Sequence, residues 1–308
     1  PVVIFFSSLI SIAYHFGIIQ IVVKWVAKLM EKSMKTSGAE TLSISANIFV
    51  GQTEAPILIR PYIKNMTTSE LMAVMTGGFA TVAGSVLALY VLWLEKIPGI
   101  AGHMLAASIM SAPASLVIAK LIHPETEKTI SLDKLDLHIE KNTANAMDAL
   151  GNGATQGLKL AANIAAMLVA FISILSMINF SLEYFFHINL QEILGIVFSP
   201  LAWTMGIPWK EANIVGRLMG EKIVLTELIA YGSLGDLINN NLISERSAII
   251  SSYALCGFAN FGSIGIQLGG IGAMAPEKRN VLSKIVLKAM IGGALASWLT
   301  ATIAGILI

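Results

Sequence analysis

Apolar residues run along this chain in blocks too long for the core of a water-soluble domain. A helix that crosses a bilayer needs about 20 consecutive, mostly apolar residues. Six stretches meet that length: 2–23, 71–94, 101–122, 160–180, 248–270 and 281–308. A seventh, 193–207, is shorter; Pro200 lies within it and Pro208 follows it, which predicts a short or bent span. Two further segments fit neither a span nor a loop. Residues 41–62 are largely apolar but carry Asn47, Gln52, Thr53, Glu54, Pro56 and Arg60, and residues 216–234 mix Arg217, Glu221, Lys222 and Glu227 with Ile, Val and Leu. Each is too polar to face lipid and too apolar for a hydrated loop. Irregular backbone of that kind is tolerated at membrane depth only where protein or a cavity surrounds it. The pattern therefore predicts two re-entrant helical hairpins in an all-α polytopic membrane protein.

The two hairpins belong to an internal repeat. Gly78-Phe79-Ala80-Thr81 follows the first, and Gly257-Phe258-Ala259-Asn260 follows the second at a similar distance. Paired, interrupted apolar segments in two halves of a chain are the sequence pointer to a secondary transporter whose site lies at the repeat interface. The repeat partitions the chain into a first span with an interfacial segment (1–40), a first hairpin with its broken helix (41–94), connecting spans (95–208), a second hairpin with its broken helix (209–275) and a C-terminal span (276–308). In the charged connection after residue 122, Leu132, Leu135 and Ile139 recur at helical spacing, which predicts an interfacial helix over 130–141.

Composition sharpens the choice of solvent. Charged residues make up 13% of the 308 and apolar residues 55%, with mean hydropathy +0.74; a soluble domain carries about 25% charged residues. The formal net charge of +1 gives no electrostatic footprint for nucleic acid. Cys256 is the only cysteine, so no disulfide forms within the chain, and the five histidines show no metal-ligand spacing. Lysine and arginine fall on many loops, so charge bias assigns no orientation. The sequence opens on Pro1 and is apolar from Val2, from which we expect earlier residues, or a cleaved leader, to precede it.

Within this frame, Glu54 and Glu227 are the residues that ask for chemistry. A carboxylate at the centre of a spanning helix costs roughly 2.5–3.5 kcal/mol, so each needs a cation, a hydroxyl-bearing ligand or a basic partner; Arg60 and Lys222 are the candidates for an ion pair. Gln52 and Thr53 beside Glu54 add donors and acceptors able to match the mixed edge of a nucleobase, or to cap the two half-helices of the hairpin. Asn260 and Ser263, three residues apart, share a helical face among glycines. No nucleophile–base pair or metal cluster accompanies them, which disfavours an intramembrane hydrolase, and two uncompensated glutamates disfavour a scaffold. A cavity that carries a polar solute through lipid is the reading that remains; proton coupling through Glu54 or Glu227 is the rival to cation coupling.

The run Asn47-Ile48-Phe49-Val50-Gly51-Gln52-Thr53-Glu54-Ala55-Pro56, followed by Arg60-Pro61-Tyr62, resembles the first hairpin of the concentrative nucleoside transporters. Gly220-Glu221-Lys222 with Glu227-Leu228-Ile229-Ala230-Tyr231 resembles their second hairpin, and Ala254-Leu255-Cys256-Gly257-Phe258-Ala259-Asn260-Phe261 the unwound helix after it. Pro124-Glu125-Thr126-Glu127 and Gly206-Ile207-Pro208-Trp209 match in order, and the likeness reaches Ile308. The resemblance implies that Gln52, Thr53, Glu54 and Val86 face the base of a nucleoside such as uridine. It implies that Glu227, Asn260 and Ser263 hold the ribose hydroxyls, with Phe258 lining the pocket. It further implies that Asn47, the Val50 carbonyl, Thr81 and the Val82 carbonyl bind sodium as the coupling ion, with no other cofactor. A homotrimer in a bacterial inner membrane, an elevator-like motion and additional N-terminal helices are implied as well. Two positions depart from the family pattern: Thr226 stands where asparagine is usual, and Thr81 where serine is.

Overall fold

The computed structural model describes residues 1–127 and 143–308, all of whose regular elements are helical. The expected interfacial helix over 130–141 lies outside the described residues. Among the described residues, three segments are long and apolar enough to cross a membrane: Thr68–Trp93, Ile100–Ile122 and Pro276–Leu307; two bent pairs raise the number to five.

The first of those pairs corrects an expectation. Residues 2–23 are not one straight span: α1 (Val2–His15) and α2 (Ile18–Met34) meet at 76°. The bend sits on Gly17, whose φ of 78° is in the left-handed region that glycine adopts without steric cost. The other bent pair joins the end of α8 (Ala146–Phe186) to α9 (Leu190–Thr204) at 89°. The expected span over 160–180 is thus the middle of a longer helix, and the short segment containing Pro200 is α9.

The two polar segments form hairpins of unequal build. In the first, α3 (Gly38–Asn47) descends from a capping box in which Ser37 and Glu40 satisfy each other's backbone N–H groups. The chain then turns through residues 48–54 and returns as a 3-10 turn (Ala55–Ile59) and the single-turn α4 (Arg60–Ile63). Pro56 and Pro61 explain the short return arm, since proline lacks the N–H that a helix interior requires. In the second hairpin, α10 (Trp209–Val224) and α11 (Glu227–Asn239) are full helices separated by Leu225 and Thr226. The Thr226 hydroxyl accepts from Ile229 N at 3.3 Å and so caps α11. Threonine and asparagine are both good caps, so the substitution keeps the helix start.

Each hairpin is followed by a broken helix. Between α5 (Thr68–Ala80) and α6 (Gly84–Trp93), Thr81 and Ala83 are extended. The expected span over 248–270 is likewise two helices, α12 (Glu245–Ala254) and α13 (Phe261–Met274), separated by six non-helical residues. The repeated tetrapeptide is placed differently in the two copies: Gly78–Ala80 still belong to α5, whereas Gly257 already lies in the break. The breaks meet there. A Cβ built on Gly257 would lie 2.5 Å from the Phe79 carbonyl oxygen, and its φ is +96°. The α7 helix (Ile100–Ile122) and the final α14 (Arg279–Leu307) pack on α5 and on each other around this crossing. On the far side α1 lies against α8 through Gly153 and Gly157, where a Cβ would come within 2.7 Å of α1 atoms.

Gly257→Ala should therefore cost roughly 2–4 kcal/mol, the sum of a left-handed alanine and backbone overlap. Thermal unfolding in detergent, followed by tryptophan fluorescence, should show a clear fall in Tm. Gly265→Ala, where a Cβ meets nothing within 4 Å, should leave Tm within a degree or so of the wild type.

Candidate functional site

The hairpin tips and the helix breaks converge on a cavity of about 420 Å³. Its wall includes Val50, Gln52, Thr53 and Glu54 of the first tip, Val86 of α6, Thr226 and Glu227 of the second hairpin, and Phe258, Asn260 and Ser263 of the second break. All eight residues expected to contact a substrate line it. The opposite wall comes from α1 and α8, with Ser7, Tyr14, Asn152 and Gln156 among its polar groups. Asn47, Thr81 and Val82 are buried and do not line the cavity.

Glu227 sits at the start of α11 and is 6% exposed. Neither glutamate is in an ion pair among the described residues. The Glu227 carboxylate is held by neutral donors: Tyr90 OH donates to Oε1 at 3.1 Å and Asn260 Nδ2 to Oε2 at 2.8 Å. Asn260 in turn accepts from Ser263 N at 2.8 Å, which caps α13. Each carboxylate oxygen keeps a lone pair for a further donor, and the position at a helix N-terminus favours negative charge. Glu54 is exposed to the cavity, and its Oε2 accepts from Gly51 N at 3.1 Å.

Lys222, considered above as an ion partner for Glu227, does something else. It is fully buried, and its ammonium donates to Ala254 O at 3.0 Å, Cys256 O at 2.7 Å and Ser297 Oγ at 3.3 Å. Three N–H bonds find three oxygens, two of them carbonyls next to the second break. Arg60 is exposed and forms no ion pair with Glu54 among the described residues.

The first break is satisfied otherwise. Gly84 N donates to Phe49 O at 3.2 Å, tying the hairpin tip to α6, and Thr81 Oγ1 donates to Gly77 O at 3.0 Å. Both amide atoms of Asn47 are buried and without a partner among the described residues, and no recorded hydrogen bond there ends on the Val50 or Val82 carbonyl. A buried amide left unpaired costs about 1–3 kcal/mol per group. An amide oxygen, two carbonyls with no recorded hydrogen bond among the described residues and a hydroxyl oxygen are the donor types that suit a hard cation.

Two residues of this network escaped the sequence reading. Gln267 is fully buried on α13, and its Nε2 donates to Gln52 Oε1 at 3.0 Å and to Met75 O at 3.1 Å. It falls on the face of Asn260 and Ser263, four residues beyond the latter, a spacing that was available. Tyr90, stacked on Tyr231 at 4.1 Å, gave no such signal within an apolar helix.

Comparison with known proteins accounts for this arrangement. A family model described as "Na+ dependent nucleoside transporter C-terminus" matches residues 103–305, and one described as "Nucleoside recognition" matches residues 1–96. The chain belongs to the sodium-dependent nucleoside transporter family. It is 42% identical to the Helicobacter pylori nucleoside permease NupC over 316 residues, covering 100% of this chain and 74% of the permease. It is 42% identical to mouse sodium/nucleoside cotransporter 1 over 328 residues, covering 100% of this chain and 50% of that protein. Among solved structures, CNTnw in an inward-facing, substrate-bound state matches with TM-score 0.93 at 43% identity, over 99% of this chain and 73% of that one. An outward-facing CNTnw variant gives TM-score 0.90 at 42% identity, with the same coverage of 99% and 73%. The protein is a multi-pass membrane transporter and not an enzyme.

Replacing Lys222 with methionine keeps the apolar stem and removes three donors. The carbonyls of Ala254 and Cys256 then lie buried without their ammonium donor, at a cost of about 2–4 kcal/mol. Melting of the purified protein in detergent should fall accordingly, and an unchanged melt would show that water replaces the ammonium.

Proposed function

We propose that this protein is a sodium-coupled nucleoside symporter, and that the cavity between the two hairpins is its substrate site. The observation that carries the reading is Glu227, held by the neutral donors Tyr90 and Asn260 and in no ion pair among the described residues. Such a carboxylate is an acceptor prepared for hydroxyl donors, and a ribose presents two adjacent ones. Gln52, Thr53 and Glu54 supply a mixed donor–acceptor edge for the base, Val86 packs against it, and Phe258 and Ser263 complete the pocket around the sugar. The cavity of about 420 Å³ is of the size in which proteins enclose ligands of this class.

Sodium is a co-transported substrate in this reading. The orphaned Asn47 amide, Thr81 Oγ1 and the carbonyls of Val50 and Val82 are the oxygens that would hold it. Because Asn47 and Val50 flank the hairpin tip while Thr81 and Val82 form the break, one ion at that place fastens the tip to α6 and so sets Gln52 and Glu54 for the base. One charge moving through about 100 mV releases about 2.3 kcal/mol, and a tenfold concentration gradient adds about 1.4 kcal/mol. Together they sustain a nucleoside gradient of roughly several hundredfold.

The two halves, 41–94 and 209–275, form the moving part in this reading. The wall of α1 and α8 is hydrogen-bonded within itself, through Ser11 Oγ to Ala149 O at 2.7 Å and His15 Nδ1 to Thr143 Oγ1 at 2.6 Å. Across the cavity no hydrogen bond among the described residues joins it to the tips; Ile10 rests on Gly84 instead. An apolar contact with no directional bond suits an elevator-like slide. The exposed Ile172, Phe180 and Phe185 of α8 supply apolar surface for a homotrimer in a bacterial inner membrane.

Uridine uptake into proteoliposomes should rise with external sodium and collapse when choline replaces it. Uptake that survives choline and stops on dissipating a proton gradient would instead establish proton coupling. Glu227→Gln should lower kcat/KM for uridine by at least tenfold. Asn47→Ala should raise the sodium concentration for half-maximal uptake severalfold, with the protein still folded.

A further inference from the structure

The donors and acceptors around Gln52 have a fixed direction, and that direction starts at a backbone carbonyl. Met75 O can only accept, so the group that Gln267 turns toward it must be Nε2, which lies 3.1 Å away. The same nitrogen lies 3.0 Å from Gln52, so the Gln52 atom facing it must be the oxygen. Gln52 Nε2 is thereby turned toward Ser263 Oγ, to which it donates at 3.2 Å. Reversing either amide would set oxygen against oxygen or leave nitrogen facing nitrogen.

Position in the wall gives this polarity a consequence. Gln52 and Ser263 line the cavity, whereas Gln267 does not and is fully buried. The Gln52 oxygen is consequently turned into the protein, and its amino group lies on the cavity side with one N–H given to Ser263 and the other with no recorded partner among the described residues. Gln267 keeps this arrangement although its own Oε1 is buried without a partner among the described residues, so the amide is held by its donor side alone. Nothing bulkier than glycine fits beneath the pair: a Cβ on Gly78 would lie 2.7 Å from Gln267 Nε2 and 3.2 Å from Gln52 Cβ.

We propose that Gln267 is a positioning residue that locks Gln52 as a hydrogen-bond donor, so that the site prefers bases carrying a carbonyl oxygen over those carrying an amino group at the opposing edge. The inference rests on the nucleoside reading above. In that reading the base meets Gln52 through the edge that bears its exocyclic oxo or amino group. Uridine and inosine present an oxo group there, and cytidine and adenosine an amino group.

Uptake is measured for uridine against cytidine and for inosine against adenosine, with 3′-deoxyuridine as a probe of the sugar side, in wild type, Gln267→Leu and Gln267→Glu. The wild type should favour the oxo member of each pair. Leucine frees the Gln52 amide to rotate, and the oxo:amino ratio of kcat/KM should fall by about five- to tenfold, the worth of one hydrogen bond. Glutamate in its neutral form donates its hydroxyl to Met75 O, offers its carbonyl to Gln52, turns the Gln52 carbonyl to the cavity and should move the ratio further toward the amino bases. Discrimination against 3′-deoxyuridine should stay as in the wild type. An equal loss for every substrate, or an unchanged ratio, overturns the proposal. If neither variant folds, the wild-type ratios decide, and the absence of an oxo preference in both pairs overturns it. Wild-type protein with no saturable nucleoside uptake defeats the transport reading itself, whereas saturable uptake with the wrong ratios defeats only the lock.

Discussion

Backbone amides at membrane depth have no water to bond with, and this chain interrupts its helices there repeatedly. Every interruption frees N–H and C=O groups that cost several kcal/mol each if left alone in hydrocarbon. The arrangement of the core follows from how those groups are satisfied. The hairpin tips and the helix breaks are brought together because each supplies what the other lacks: Phe49 O accepts from Gly84 N, Lys222 serves Ala254 and Cys256, and Asn260 caps α13. The polar cavity is the space left where these exchanges meet.

The two halves solve the same problem with different chemistry. In the second, a covalently attached ammonium is permanently bonded to the freed carbonyls, and Ser297 completes its shell. In the first, among the described residues, no such cation is built in, and the Asn47 amide is without a partner. A repeat in which one copy carries its own cation and the other exposes an oxygen set has a reason to respond to ions on one side only. That asymmetry supports the proposal of a coupling ion at the first hairpin and is why loss of Lys222 is expected to read out as stability.

The amount of this that could be read from sequence depended on contrast. Gln52, Thr53, Glu54 and Glu227 stood out because they are polar in apolar surroundings, and the structure places them around one cavity. The break in 248–270 is hidden from hydropathy, since Leu255, Cys256 and Phe258 are as apolar as the helix they interrupt; the internal repeat and the likeness to the unwound segment of a known family pointed to it. The bend at Gly17 was hidden for the same reason. Lys222 was visible as a buried charge, but its acceptors come from residues 254, 256 and 297, and no local pattern connects those positions. Tyr90 belongs with these, because its partner Glu227 is 137 residues away. Gln267 is the opposite case: its helical register with Asn260 and Ser263 was legible and went unused.

A continuous chain of hydrogen bonds runs from Met75 through Gln267, Gln52, Ser263 and Asn260 to Glu227 and ends at Tyr90. Both ends lie in the first repeat, and the middle alternates between the repeats. No half of the protein therefore presents a complete binding surface by itself. Because every link is within this set, the chain can travel as a unit past α1 and α8 without breaking a bond, and a ligand bridging Gln52 and Glu227 adds one more tie between the halves. Rigid movement of the assembled core would then cost less than parting the two hairpins, which supports the proposed elevator-like motion over a rocking of one repeat against the other.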